Sequence, residues 1–349
     1  MDFYSVEHRN FAPGRLCVII LFAYDNRRFE IARKTYSSSG AFARSMTDNA
    51  SPSEGLTAID IRRQQALGRM LLVAAAVGWS VIGVAVKSPL LENVPGPMFA
   101  GCRALTAGLF LLPFVRPSMV RFRWGLLPMV VCFASMNVLF IMATQQTTAA
   151  AAIFLQYTAS LWAMVFGVFF LREPLLRGNA VALTCGLLGI AWIVHNDWNG
   201  ENFQGNAIAL MSGVTYAGVI VTLRALRDEA PQWLILVNYI VSGVVLLPWI
   251  LQGVHELTAW QWLLLAGIGP IQMGLPYVMF ARGLKWIPPQ EAGLILLIEP
   301  LLNPTWVWLC WGEAISPPTA VGGGLILLGL ALRYTVFRER SVPAPAPLD

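Results

Sequence analysis

Glu299 stands in the run "LLIEPLLNPTW" (296–306), followed at once by Pro300 and four residues later by Pro304. A carboxylate inside an apolar stretch is costly unless it is paired or wetted, so its placement is informative. Desolvation penalises the charged form of an acid, and a carboxylate lining a wet cavity therefore suits proton coupling. Proline has no backbone N–H, so the carbonyls of Leu296 and Pro300 lose their helical donors. The spacing predicts a kinked helix with those carbonyls turned toward a ligand or water, and it makes Pro300 and Pro304 the hinge candidates. Two readings of Glu299 stand side by side: a coupling or substrate role, and internal pairing with Arg103 of "AGCRALTAG". Arg103 would either neutralise Glu299 or receive a carboxylate or phosphate of a solute.

Trp79, Asn137, Gln156, Tyr157, Tyr216, Asn238 and Tyr277 complete the substrate-binding or coupling candidates, with Ser80, Gln272 and Glu291 beside them. Each has a plainer role open to it. Ser and Asn in a membrane helix bond neighbouring helices, and Trp and Tyr near a helix end anchor at the interface. No catalytic residue is expected, because H-E-x-x-H, G-x-S-x-G and P-loop patterns are absent. His195 ends an apolar run and His255 falls in a loop, so His-based chemistry has no setting. Cys17, Cys102, Cys132, Cys185 and Cys310 show no close pair and no metal-ligand spacing. No metal and no cofactor are expected.

The elements that hold these residues follow from composition. The 349 residues are 56% hydrophobic and 12% charged, with a mean hydropathy of +0.61. A soluble domain carries about a quarter charged residues, so here the solvent must be lipid. The cations are scattered singly between apolar runs, which argues against a nucleic-acid partner. Apolar runs cover 69–87, 97–115, 125–144, 147–170, 177–195, 204–224, 232–251, 259–281, 288–311 and 317–337. These predict about ten membrane helices, each roughly one bilayer thick, joined by short loops. One set of alternate connections holds Arg116, Arg121, Arg123, Arg172, Arg177, Arg224, Arg227, Arg282 and Lys285, with Arg62 and Arg63 before the first helix and Arg338 and Arg340 after the last. The opposite set holds Lys87 beside Asp197, Glu201 and Glu256. The positive-inside rule then places both termini in the cytoplasm. Residues 1–66 are mixed and polar and are expected to form a disordered cytosolic extension, and 338–349 a Pro-rich cytosolic tail.

The chain repeats itself. "FLREPLLRGNAVALTCGLLGIAW" (170–192) lines up with "CWGEAISPPTAVGGGLILLGLAL" (310–332), pairing Glu173 with Glu313. "LFLLPFV" (109–115) echoes "VVLLPWI" (244–250), and Trp79 falls opposite Tyr216. Each half, 67–201 and 202–337, therefore holds five helices, and an odd number inverts the second half. Inverted repeats around a midplane cavity are the architecture of secondary transporters. Glu173 and Glu313, at opposite edges, are expected to pair locally. The "GGG" at 322–324 offers a flat surface for helix packing inside the chain or at a homodimer seam. "LLIEPLLNPTW" lines up with "LQYTASLWAMV", and is expected to be kinked and charged where that partner is neither.

With its "LRE" and "WGE" helix ends, its Gly-rich "LLG" helices, "VGWSVIGVAVK" (77–87) and the Glu-Pro … Gly-Glu of "LLIEPLLNPTWVWLCWGEAIS" (296–316), the chain resembles the drug/metabolite transporter superfamily in its EamA-like branch. The resemblance covers about 68–337. The first half departs from it, with Ala159 and Ser160 where Glu-Pro would stand. The resemblance implies an all-α protein of ten transmembrane helices in two inverted five-helix repeats. It also implies a secondary transporter that moves an amino acid or metabolite, more often outward, across the cell (inner) membrane by alternating access. Its partners would be a small solute and the bilayer. No nucleotide-binding motif is present, so solute or ion gradients, protons among them, are the expected drive. An intramembrane enzyme, a channel and a lipid-handling scaffold are the alternative readings. Saturable counterflow separates a carrier from a channel.

Overall fold

A computed structural model of the chain describes residues 58–171, 177–196, 200–253 and 256–336. The extension through residue 57, the segment with Arg172 and Glu173, Asp197, His255 and the residues from 337 onward lie outside the described residues. The described helices follow the apolar runs. The first run forms α1 (Ala58–Ser80) and α2 (Ile82–Val86), the second α3 (Gly96–Leu111), and the third α4 (Leu126–Gln146). The fourth is split into α5 (Ala149–Tyr157) and α6 (Ala159–Leu171), and the fifth is α7 (Arg177–Asn196). The second half continues with α8 (Phe203–Ala225), then α9 (Pro231–Val245) and α10 (Leu247–Gln252). Next come α11 (Ala259–Ile268), a π-helical turn (Gly269–Gly274) and α12 (Leu275–Gly283). The last two runs form α13 (Pro289–Leu296) with α14 (Ile298–Trp311), and α15 (Pro317–Thr335).

Among the described residues, eight helical segments are long and apolar enough to cross a membrane, and Pro231–Val245 is a shorter apolar helix. The protein is an all-helical, multi-pass membrane protein. Large apolar side chains face outward, Trp124 being 78% exposed and Phe169 76%, while Arg103, Asn137, Asn238, Gln272 and Asn303 are buried. Helices that are apolar on both faces, with polar groups turned inward, match a lipid surround. One expectation is corrected at the start. Residues 58–66, assigned to a disordered extension, are helical, because "AIDIRRQQALGR" is rich in good helix formers. That turn carries the exposed Arg62 and Arg63.

The loops sort into two ends. At one, Arg123 pairs with Glu229 at 2.8 Å, Trp233 Nε1 donates to the Arg121 carbonyl, and Arg69 pairs with Glu291 at 2.5 Å. At the other, Lys87 Nζ meets Glu313 at 2.9 Å and donates to the Thr147 carbonyl at 2.7 Å. There too, Gln261 Nε2 donates to the Leu90 carbonyl. The first end holds Arg121 and Arg123 of the arginines predicted to share a side, and is called the basic end below.

Packing between the halves is reciprocal. Gly108 of α3 faces Ile240 of α9, and their repeat counterparts Gly243 and Leu105 face each other. In the same way Gly189 of α7 lies on Gly322 of α15, while their counterparts Gly329 and Ala182 meet. Each glycine lets two helices approach at a distance that a Cβ would prevent. In "GGG", Gly322 packs on α7 and Gly323 on Phe154 of α5, so two of the three serve contacts within the chain.

Candidate functional site

The polar interior is built where helices are interrupted. At Leu297, between α13 and α14, the backbone tightens into a Leu297 N–H to Leu294 C=O bond of 3.2 Å. Pro300 falls in the first turn of α14, where a missing N–H is tolerated. Pro304 lies inside α14, which runs on unbroken to Trp311. The interruption therefore precedes Pro300, and Pro304 lies within the helical turns that follow.

The first half was expected to be unkinked at the matching place, and it is not. The fourth run breaks at Thr158, where Thr158 N–H bonds the Leu155 carbonyl at 3.2 Å and the Thr158 hydroxyl donates to the same oxygen at 2.5 Å. A hydroxyl that competes for a backbone carbonyl does here what proline marks in the second half. Gly213 of α8 seals the bend. A Cβ there would come within 2.7 Å of Thr158 Oγ1 and 2.9 Å of the Leu155 oxygen.

The two breaks face each other through one side chain. Tyr157, the last residue of α5, places its hydroxyl 2.9 Å from Glu299 Oε2 and 3.1 Å from the Leu296 carbonyl oxygen. That carbonyl lacks its helical donor because residue 300 is proline. One hydroxyl proton cannot serve both acceptors at once. With Glu299 ionised, Tyr157 donates to the carboxylate. With Glu299 protonated, the acid donates to the Tyr157 oxygen, and the hydroxyl turns to the Leu296 carbonyl. Adding a proton would thus decide whether the Leu296 carbonyl is held at the break. Tyr216 of α8 stands within electrostatic reach of Glu299.

Arg103 lies elsewhere, in a second cluster. Its Nη1 donates to Gln272 Oε1 at 3.2 Å and its Nη2 to Asn137 Oδ1. Asn137 Nδ2 donates to the Ala100 carbonyl at 3.0 Å, and Gln272 Nε2 to the Trp79 carbonyl at 3.1 Å. Those carbonyls fix both amides with their oxygens toward the arginine. Gln272 is presented by the π-helical turn, a feature that often sits at functional sites. Arg69 pairs with Glu291, Lys87 with Glu313 and Arg123 with Glu229. The proposed Arg103–Glu299 pairing is not made.

The other candidates fall around these clusters or away from them. Trp79 contributes its carbonyl to the Arg103 cluster and stacks near Phe280, with ring centroids 5.3 Å apart. Asn238 is buried, and its amide has no hydrogen-bond partner among the described residues. Tyr277 is buried and walls a cavity of about 150 Å³ that opens at the basic end. Gln156 turns to Met136 Sδ at 3.5 Å rather than to Glu299. Ser80 accepts from Trp306 Nε1 at 3.0 Å beside the interruption at Val81. Glu291 is taken by Arg69. Glu313 pairs with Lys87 and accepts from Ala149 N–H at 2.7 Å, a carboxylate at the N-terminus of α5 where the helix dipole favours it. Its repeat mate Glu173 lies outside the described residues. Sequence reasoning passed over Tyr239, buried within electrostatic reach of Arg103. It also passed over Asn303, whose buried amide lacks a partner among the described residues. Asn303 had a signal, a polar residue directly before Pro304 and one helical turn from Glu299.

Comparison with known proteins supplies a second line. The model of the EamA-like transporter family matches twice, over residues 66–195 and 203–335. An "Uncharacterized transporter" of Archaeoglobus fulgidus is 27% identical over 263 residues, covering 74% of this chain and 95% of its own. The threonine/homoserine exporter RhtA of Escherichia coli K12 is 23% identical over 269 residues, covering 74% of this chain and 89% of its own. A solved crystal structure shares the fold with a TM-score of 0.56 at 17% identity, covering 79% of this chain and 99% of that one.

Proposed function

Since the chain belongs to the EamA-like transporter family, we propose that it is a secondary transporter moving a small organic solute by alternating access, with Glu299 carrying a coupling proton. That it is a membrane transporter rather than an enzyme follows from the family and its named relatives. The finer reading rests on one observation, the shared hydroxyl of Tyr157 between Glu299 and the Leu296 carbonyl at facing helix breaks. An acid whose proton redirects a backbone bond at a bend has the chemistry needed to link protonation to helix movement.

The arrangement in this reading is two inverted five-helix repeats, 67–201 and 202–337, with ten membrane helices and both termini cytoplasmic. The charge asymmetry of the two ends supports that orientation, and the reciprocal glycine contacts support the repeat. Outward movement of an amino acid or related metabolite is the direction suggested by the relative named as an exporter. Proteoliposomes loaded with candidate amino acids and metabolites test the carrier reading, which expects saturable exchange of label. Non-saturating flux would favour a channel instead. The coupling role is tested with Glu299→Gln, which should retain exchange but lose its dependence on a pH gradient. Intact pH-driven transport in that variant sinks the role assigned to Glu299.

A further inference from the structure

We propose that Arg103 is the receptor for a carboxylate on the transported solute, reached from the cavity at the basic end between α3, α9 and α12. This rests on the transporter reading above and names the chemistry of its substrate. Arg103 is 5% exposed, and among the described residues its side-chain hydrogen bonds go to the amide oxygens of Gln272 and Asn137. A guanidinium buried without an acid is poorly compensated, so an incoming anion gains what the protein withholds. Its Nε–H has no partner among the described residues. Nε and the adjacent Nη form the edge that binds a carboxylate side-on through two parallel hydrogen bonds. One cation matches a monoanion, whereas a phosphate dianion would call for more positive charge.

Two further observations point the same way. In the register of "LFLLPFV" and "VVLLPWI", Arg103 is the counterpart of Asn238. The same place in the α3–α9 contact is thus filled by a neutral residue in the second half, so helix packing does not require the charge. The cavity of about 150 Å³ is walled by Tyr277 and rimmed by Arg282 and Lys285. Tyr277 on the cavity wall stands five positions after Gln272, whose side-chain oxygen accepts from Arg103. Rim cations concentrate anions at the mouth. The α3–α9 seam beside the cavity joins the two halves, where alternating access would open it.

The test uses the full-length protein in detergent and a panel of L-amino, 2-hydroxy and 2-oxo acids at millimolar concentration, each beside its primary amide. At least one acid is expected to raise the unfolding temperature while its amide does not. Arg103→Gln should weaken that acid by more than about tenfold, as loss of a charged hydrogen-bond partner does, and Arg103→Lys should recover part of the affinity. An amide that binds as well as its acid, a panel with no binding acid, or undiminished binding to Arg103→Gln overturns the proposal. The wild-type acid–amide comparison decides even where Arg103→Gln does not fold. Liposome counterflow separates the two readings. Exchange of amide as fast as acid keeps transport and removes the anion site, whereas acid binding without exchange keeps the site and removes transport.

Discussion

The break at Thr158 and the break at Leu297 occupy matching places in the two halves, one residue apart in the repeat register, and different residues make them. In the first half a threonine hydroxyl takes the Leu155 carbonyl, and Gly213 packs on the bend. In the second, proline follows the bend and Glu299 fills it, with Tyr157 crossing from the first half. Arg103 and Asn238 show the same contrast. Bends and close helix contacts recur in both halves because both must pack in the same way, while Arg103 and Glu299 have no charged counterpart. What is shared marks architecture, and what differs is where a solute or a proton would be told apart from lipid.

Five substitutions test this contrast. Largest is Glu299→Gln, expected to slow pH-driven exchange by more than about tenfold, since a hydrogen bond to a charged group contributes roughly 1.5–3 kcal/mol. Thr158→Val, at the matching bend, should leave the pH profile unchanged. Gly213→Leu forces a side chain onto the Thr158 bend and should destabilise by about 1–3 kcal/mol, read as an earlier thermal unfolding. A melt equal to wild type would mean that the α8 contact does not set the bend. Tyr157→Phe removes the hydroxyl shared between Glu299 and the Leu296 carbonyl and should cost about 1–2 kcal/mol. It should also alter the pH profile of exchange, which a purely structural hydroxyl would not. Thr158→Val removes one hydrogen bond and should cost about 1 kcal/mol in the same melt. Smallest is Arg69→Ala at the basic end, where the pair with Glu291 is exposed and screened; the unfolding temperature should stay where it was.

Much of the fold was legible in the sequence because membrane helices announce themselves by length and apolarity, and every predicted run has a helical segment in the structure. Glu299 and Arg103 stood out for the same reason, as charges in apolar stretches. Their partners did not. Tyr157 to Glu299 spans 142 positions and Arg103 to Gln272 spans 169, and no local pattern encodes such a contact. The bend at Thr158 was missed because threonine breaks a helix only where a neighbour such as Gly213 packs on the freed turn.

The amino-acid sequence by itself determined that the chain lives in lipid, which runs form its helices, that its halves correspond, and which few charges enter the apolar interior. These are local properties, set by hydropathy, proline and glycine placement and loop charge. Tertiary structure alone decided that Glu299 meets Tyr157 and not Arg103, that Arg103 is held by two amides, and that the fourth run bends without a proline. Those outcomes depend on which helix faces are pressed together, and burial gives a polar group whatever partner the neighbouring helix presents.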